Sequence, residues 1–249
     1  MSCALVFNPF FSIPPLENQE NLQMLFLAQA HLFEFSVHRP LQITPPQLAS
    51  GIPRKASIFP WGSSNLSVLT EAGVGQAERC RAALADIHFD QCFSSPITRA
   101  KSTAEILWQG REQPLVYLDS LKEAHLYFLE GMRNVDARKK YPKEFTQWRE
   151  DPCNFRINGI YPVRKLWETA REAWLEILFT PGENILVVTH KSILRALICT
   201  ALGLGPERFR AIDINNGGLS VFSFNKRGEA MLKSLNMTAH MYTDHRYHY

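Results

Sequence analysis

The stretch Ile185-Leu186-Val187-Val188-Thr189-His190-Lys191-Ser192 decides the fold. Five aliphatic or β-branched residues in succession mark a strand buried on both faces, because a strand with one wet face would alternate apolar and polar positions. The run stops at an imidazole, and Ile193 to Leu202 resumes with helical spacing. Neighbouring stretches repeat the pattern. Thr70 caps a helix carrying Val74, Ala77, Cys80 and Leu84, followed by a strand at Phe89 to Ser94. Ser95 and Pro96 read as the cap and first-turn proline of a second helix that runs to about Trp108 and holds Arg99 one turn inside. Leu115 to Leu118 reads as a strand. Val163 to Phe179 reads as a long helix with Val163, Leu166, Trp167, Ala170, Trp174, Ile177 and Leu178 on one face, and Leu219 to Phe224 as an alternating strand. Strands alternating with helices predict a three-layer α/β/α sandwich with a mostly parallel central sheet.

Composition bounds the function. In 249 residues, 45% hydrophobic and 20% charged, there are enough apolar side chains for a sizeable core, which excludes a fibrous or wholly disordered chain. Lys plus Arg at 27 against Asp plus Glu at 24 leaves +3, with no basic block, so no nucleic acid partner is expected. A local cationic pocket for a small anion remains compatible with that charge. The apolar run Leu22 to Val37 is broken by Gln23, Gln29, His31 and Glu34, well short of a span, so no membrane partner is expected. The five cysteines, Cys3, Cys80, Cys92, Cys153 and Cys199, are odd in number and form no Cys-x-x-Cys pair, which predicts neither a disulfide framework nor a zinc knuckle. Cys80, Cys92 and Cys199 sit among apolar neighbours and read as small buried hydrophobes in a reducing compartment.

The composition changes near residue 61. Eight of the 15 prolines but one of the 13 glycines precede it, and Pro40, Pro45, Pro46, Pro53 and Pro60 forbid a long helix or central strand from 39 to 60. Residues 1–61 are therefore expected to be a divergent, Pro-rich, largely irregular segment, and 62–249 the folded domain. Within the former, Leu22 to Phe35 reads as a helix from the spacing of Leu25, Leu32 and Phe33. The first 38 residues hold Glu17, Glu20 and Glu34 and no Lys or Arg, whereas targeting peptides are basic and acid-poor, so no signal peptide is expected. His240, His245 and His248 with Asp244 lack a tight metal spacing and read as a solvated tail.

Ligands of such sheets bind at the carboxyl ends of strands, where helix starts bring backbone donors and positive dipole ends together. Ser94-Ser95-Pro96-Ile97-Thr98-Arg99 and Val188-Thr189-His190 place an arginine and a histidine there. Together they suit an anion such as phosphate, since a guanidinium fork matches phosphate oxygens two at a time. Each alone is weak, because a helix arginine is commonly solvated and a strand-end histidine commonly a cap.

Joined in order, these stretches resemble the histidine phosphatase family, which includes the phosphoglycerate mutases. Ser94-Ser95-Pro96-x-x-Arg99-Ala100-x-x-Thr103-Ala104-Glu105 resembles its second signature, and Leu69-Thr70-x-x-Gly73-x-x-Gln76-Ala77 the helix before it. Leu121-x-Glu123 leading to Gly131 is similar to its acid-bearing loop, and Val187-Val188-Thr189-His190 with Arg195-Ala196-Leu197 to its carboxy-terminal histidine signature. The likeness covers Gly62 to about Phe224. From Leu126 through Tyr161-Pro162-Val163-Arg164 to Trp167 it is nearest the plant branch that contains 2-carboxy-D-arabinitol-1-phosphatase.

The resemblance implies phosphomonoester hydrolysis of the sugar phosphate type through a phosphohistidine. It makes Arg99 a phosphate ligand, Glu123 the acid and base and His190 the second histidine, with Gly62, Ser63, Lys191 and Ser192 as further substrate-binding positions. It implies a phosphorylated small molecule as partner and no cofactor or metal, cationic side chains doing the neutralising. By analogy the family branch points to the chloroplast, whereas this amino terminus points to the cytoplasm. Lys191 departs from the small residue often found after this histidine; its ammonium either adds charge to the pocket or points into solvent.

The family's nucleophile belongs to an Arg-His-Gly signature at the end of its first strand, and this chain contains no such triple. Counting back from Gly62-Ser63-Ser64-Asn65-Leu66 sets it near Leu48-Ala49-Ser50, which does not match. Residues 1–61 are thus expected to be an alternative or misassigned start in place of that strand. Without it, neighbouring strands would leave backbone groups unpaired at a cost of roughly several kcal/mol, unless Ala4 to Phe7 or Met24 to Ala28 fills the gap. His38-Arg39-Pro40 reads as loop, and His31, His88 and His125 as structural or exposed. The expected outcome is little or no activity; the rivals are a phosphatase with an unrecognised nucleophile and a non-catalytic phosphate-binding module.

Overall fold

In the computed structural model, which describes residues 22–28, 62–65, 68–132, 134–225 and 227–241, the chain begins with β1 (Leu22–Ala28). It continues through α1 (Glu71–Ala83), β2 (Gln91–Ser94), α2 (Thr98–Leu107), β3 (Leu115–Tyr117), α3 (Asn134–Lys140) and α4 (Pro142–Glu150). It then forms α5 (Pro162–Leu178), β4 (Asn184–Thr189), α6 (Lys191–Ala201), β5 (Leu219–Phe224) and β6 (Ala230–Met237). The strands make one sheet in the order β3-β2-β4-β1-β5-β6. The first four are parallel to one another, while β5 pairs antiparallel with β1 and β6 antiparallel with β5.

Two strands carry the core. In β4, Ile185 and Val187 face a cluster that includes Val163, Trp174 and Ile193 of α5 and α6, while Leu186 and Val188 face Ala77, Cys80 and Ala104 of α1 and α2. Helices therefore cover both faces, as the continuous aliphatic run requires. β1 repeats this division, with Leu22, Met24 and Phe26 on the α5/α6 side and Leu25 and Leu27 on the other. Phe26 packs edge-on against Trp174 at 5.2 Å and Phe222 at 5.8 Å. The Trp174 indole N–H is satisfied by the Leu197 carbonyl and the Thr200 hydroxyl at 3.0 and 3.1 Å.

This corrects the helix read over Leu22 to Phe35: residues 22–28 are a strand, and 29–35 lie outside the described residues. A strand buried on both faces has no period, so its apolar run cannot be told from a buried helix by spacing. Pairing decides it. β1 is paired on both sides, from Gln23 beside Asn184 to Ala28 beside Thr189, and from Leu22 beside Phe224 to Leu27 beside Leu219. Met24 to Ala28 thus fills the sheet, and residues 1–61 are not irregular throughout; Ala4 to Phe7 and the rest of that segment lie outside the described residues.

Other boundaries shift less. α2 starts at Thr98 rather than at Ser95-Pro96, so Arg99 is its second residue. Ser95 is occupied elsewhere, and the cap comes from a distant residue: Asn65 Oδ1 accepts from both the amide and the hydroxyl of Thr98 at 2.7 Å. Thr70 caps α1 as read, accepting from the Gly73 amide at 3.4 Å. His240 is half-buried rather than freely solvated. Its Nε2 lies 2.9 Å from the Gly217 carbonyl and 3.6 Å from Cys80 Sγ, and burial lowers its pKa. Gly217 permits this close approach, having φ +66 and no side chain to collide with Met241. The rest of the His-rich tail lies outside the described residues. Cys80, Cys92 and Cys199 are buried, and burial pushes the Cys80 thiol up to about 12. Among the described residues no helix is long and apolar enough to cross a membrane.

Candidate active site

At the carboxyl ends of β2 and β4 the two helix-starting loops meet. Arg99 is 3% exposed, and its guanidinium donates to the Ser64 and Gly62 carbonyls, each at 2.8 Å, while Nε is buried with no partner among the described residues. Burial draws its pKa below the ordinary value, opposed by the carboxylates of Glu123 and Glu130. An arginine tolerates that shift and stays charged. The loop it grips is fastened on its other side by Glu130, whose Oε1 accepts from the Ser63 amide at 2.9 Å, the Ser63 hydroxyl at 3.0 Å and the Leu126 amide at 2.8 Å. His125 Nδ1 lies 2.8 Å from Ser63 Oγ and 2.9 Å from the same carboxylate oxygen. Gly62 has φ +73, and a Cβ there would collide with Glu130 and lie 2.9 Å from the Ala124 carbonyl.

Glu123 bridges the acid-bearing loop and α6. Its Oε1 accepts from the Ala124 amide at 2.8 Å and its Oε2 from the Ser192 amide at 3.1 Å, in the first helical turn, where amides and dipole favour an anion. The loop is held to β4 by the Thr189 hydroxyl, which donates to the Leu121 carbonyl at 2.8 Å. Lys191 points to the pocket and pairs with Asp213 at 2.9 Å. Arg195, one turn on, donates to the same carboxylate at 3.2 Å and to the Ile212 carbonyl at 2.8 Å. Although burial pushes Asp213 up, the hydrogen bond and charge of Lys191 bring its pKa below the ordinary carboxylate value.

His190 forms the start of α6 with its carbonyl, which accepts from the Leu194 amide at 2.9 Å. Its ring is 1% exposed, and Nε2 shares a 2.7 Å hydrogen bond with Ser95 Oγ. That serine also accepts from the Ile97 amide at 3.3 Å, which is why it does not cap α2.

Of the residues singled out from sequence, Gly62, Arg99, Glu123, Lys191 and Ser192 line one cavity of about 440 Å³. His190 sits next to Lys191 but against Ser95, and Ser63 is turned to Glu130 and His125. The sequence reading missed Glu130, which fastens the loop, and Trp148, Arg195, Phe209, Arg210 and Asp213, which complete the cavity. Arg195 had a signal, lying four residues after Lys191 on the same helical face. It also falls within the carboxy-terminal signature, and Glu130 within the stretch leading to Gly131, though neither is given a role there; Trp148, Phe209, Arg210 and Asp213 come from segments with no motif. The cavity presents four cations, Arg99, Lys191, Arg195 and Arg210, against two carboxylates, Glu123 and Asp213, a balance suited to an anionic ligand. No group of three or more His, Cys, Asp or Glu side chains that could hold a metal ion occurs among the described residues.

The chain is 44% identical over 182 residues to a probable 2-carboxy-D-arabinitol-1-phosphatase of Arabidopsis thaliana, covering 71% of this chain and 38% of that protein. It is 43% identical over 163 residues to 2-carboxy-D-arabinitol-1-phosphatase of Triticum aestivum, covering 66% and 33%. It therefore spans about a third of these relatives' length. Among solved structures it resembles YhfR of Bacillus stearothermophilus with a TM-score of 0.70, 21% identity and coverage of 90% and 100%. It also resembles an alpha-ribazole phosphatase of Shigella flexneri with a TM-score of 0.69, 19% identity and coverage of 87% and 96%. These two likenesses establish the fold. A family model covers residues 60–238, so β1 joins the sheet from outside the matched range. By that match, with the motifs around Arg99, Glu123 and His190, the chain belongs to the histidine phosphatase superfamily (branch 1).

Proposed function

We propose that the cavity binds a phosphomonoester of the sugar phosphate type, and that hydrolysis through a phosphohistidine is impaired in this chain. The observation that carries the first half is the single cavity gathering Arg99, Glu123 and the start of α6. Arg99 and the α6 amides are the donors for phosphoryl oxygens, and Glu123 is the proton carrier. In the full reaction a histidine nitrogen bonds to phosphorus as the ester P–O bond breaks, and the carboxylic acid protonates the departing alkoxide. Water then attacks phosphorus, the N–P bond breaks, the carboxylate takes the water's proton and phosphate leaves. The plant relatives named as phosphatases support hydrolysis over mutase chemistry.

The second half rests on the missing Arg-His-Gly. β1 pairs with β4 as far as Ala28 beside Thr189, one residue short of His190, and the sequence continues Gln29-Ala30. The same lack favours a second reading, a non-catalytic phosphate-binding module. Two measurements separate the readings: phosphate release from p-nitrophenyl phosphate by the native chain and by His190→Ala, and thermal stabilisation by inorganic phosphate. We expect stabilisation that is lost in Arg99→Ala, with release near background in both proteins. Robust release by the native chain alone would overturn the impairment, and absence of both stabilisation and release would overturn the phosphate site.

A further inference from the structure

Away from the cavity, on the face of the sheet that α1 covers, side chains from distant parts of the chain bring two sulfurs and an imidazole together. Cys80 lies near the end of α1, and His240 and Met241 belong to the short 3₁₀ turn Ala239–Met241 that packs on that helix. Cys80 Sγ and His240 Nε2 are 3.6 Å apart. An ion about 2.3 Å from the sulfur and about 2.0 Å from the nitrogen spans that gap at an angle of about 114°, between tetrahedral and trigonal. The ring is already aimed, because the Gly217 carbonyl holds Nε2 at 2.9 Å. Gly217 also leaves room for a third donor: Met241 Sδ and Cys80 Sγ lie 3.0 and 3.4 Å from the point where a Cβ on that residue would sit. Cys80 is buried while His240 and Met241 are half-buried, so the group is dry on one side and reachable from the other.

The donor set selects the ion. Thiolate and thioether sulfurs favour a soft metal over a hard one. Among these donors only the Cys80 thiolate is anionic, and the positive charge of Arg79 acts on both Cys80 and His240. One thiolate cancels a monovalent ion, whereas a divalent ion would leave a buried net charge beside that arginine. We propose that Cys80, His240 and Met241 form a site for one soft monovalent cation, Cu(I). On loading, the ion replaces the thiol proton, which leaves to solvent, and the imidazole proton moves from Nε2 to Nδ1, so that Sγ and Nε2 each give a lone pair. The bound ion ties the turn at 239–241 to α1 and so stabilises the folded chain. The site is separate from the phosphate cavity, and the two readings stand or fall independently.

The test titrates the reduced full chain anaerobically with Cu(I) against the chromogenic chelator bicinchoninate, and reads the thermal midpoint with and without the ion. The expected result is one Cu(I) retained per chain, a near-ultraviolet absorption from thiolate-to-copper charge transfer, and a raised midpoint. Cys80→Ala is expected to lower the affinity about a hundredfold or more and to abolish the absorption, and His240→Gln to lower it about tenfold. His240→Gln, at a half-buried position, reads the site even where Cys80→Ala costs stability. Cys92→Ala and Cys199→Ala are expected to retain the ion as the native chain does. Retention that survives Cys80→Ala or His240→Gln, an adventitious ion only, overturns the site, as does loss of all Cu(I) from the native chain to the chelator. Zn(II) held more tightly than Cu(I) overturns the choice of a monovalent ion.

Discussion

Single residues set the geometry of the loop that Arg99 grips, and Gly62 shows how tightly. Its carbonyl takes one Arg99 hydrogen bond, its φ of +73 suits no side chain, and Glu130 occupies the space a Cβ would need. Gly62→Ala is expected to destabilise the chain by about 1–3 kcal/mol and to weaken phosphate binding, read by chemical denaturation and by phosphate-induced thermal shift. An unchanged midpoint with full phosphate stabilisation would contradict this. Asp90 makes a second residue-scale case. Its Oδ2 accepts from the Asn184 amide at 2.9 Å and the Glu183 amide at 2.7 Å, bonds that, led by Asn184, lower its pKa and fix the entry into β4. A depressed carboxylate contributes stability above its unfolded pKa of about 3.9 and loses it as pH falls through the lower folded value. Asp90→Asn should therefore cost about 1 kcal/mol at pH 7, allowing for partial exposure, and the gap to the native chain should narrow progressively as pH falls below about 4. A gap that does not narrow at all as pH is lowered from about 5 to about 2 would place the effect elsewhere. What sequence reveals at this scale is the side chains that belong to motifs, such as Arg99 and Glu123. Glu130 and Arg210 escape because their meaning lies in partners far along the chain, Ser63 for the one and Trp148 for the other.

Elements that could be read from local pattern share a feature: their burial is periodic or complete. α5 occupies Pro162–Leu178 against an expected Val163 to Phe179, and β5 matches its expected bounds, because α5 carries a one-sided apolar face and β5 is a short, almost wholly buried run. β1, buried on both faces like β4, reads as a helix because its apolar run continues past Ala28 through Leu32 and Phe33 with no turn residue to end it, and only the two neighbours it pairs with distinguish strand from helix. β6 and the pair α3 and α4 went unread; β6 is an edge strand whose half-buried positions are Ala230, Leu232, Ser234 and Asn236, a weak apolar alternation. The importance of β1 to the core is testable. Removing the ring that meets Trp174 and Phe222, with Phe26→Ala, should cost about 3–5 kcal/mol in denaturant unfolding. A loss below about 1 kcal/mol would mean that β1 is not part of the cooperative fold.

On the scale of the molecule, the family match from 60 to 238 and the strand at Leu22–Ala28 together make the sheet, although the strand comes from outside the match. Under the proposed function, the resulting site binds phosphate but lacks the Arg-His-Gly that carries the family's nucleophile. The variant Ala28→Arg, Gln29→His, Ala30→Gly writes the family's triple from the last residue of the strand that pairs with β4 onward. The most direct measurement is phosphoimidazole formation and p-nitrophenyl phosphate turnover in this variant beside the native chain. The expected result is no phosphoimidazole and background turnover in the native chain, with a gain of about a hundredfold or more in the variant. A covalent phosphoimidazole on the native chain, turning over as fast as the variant, would contradict it.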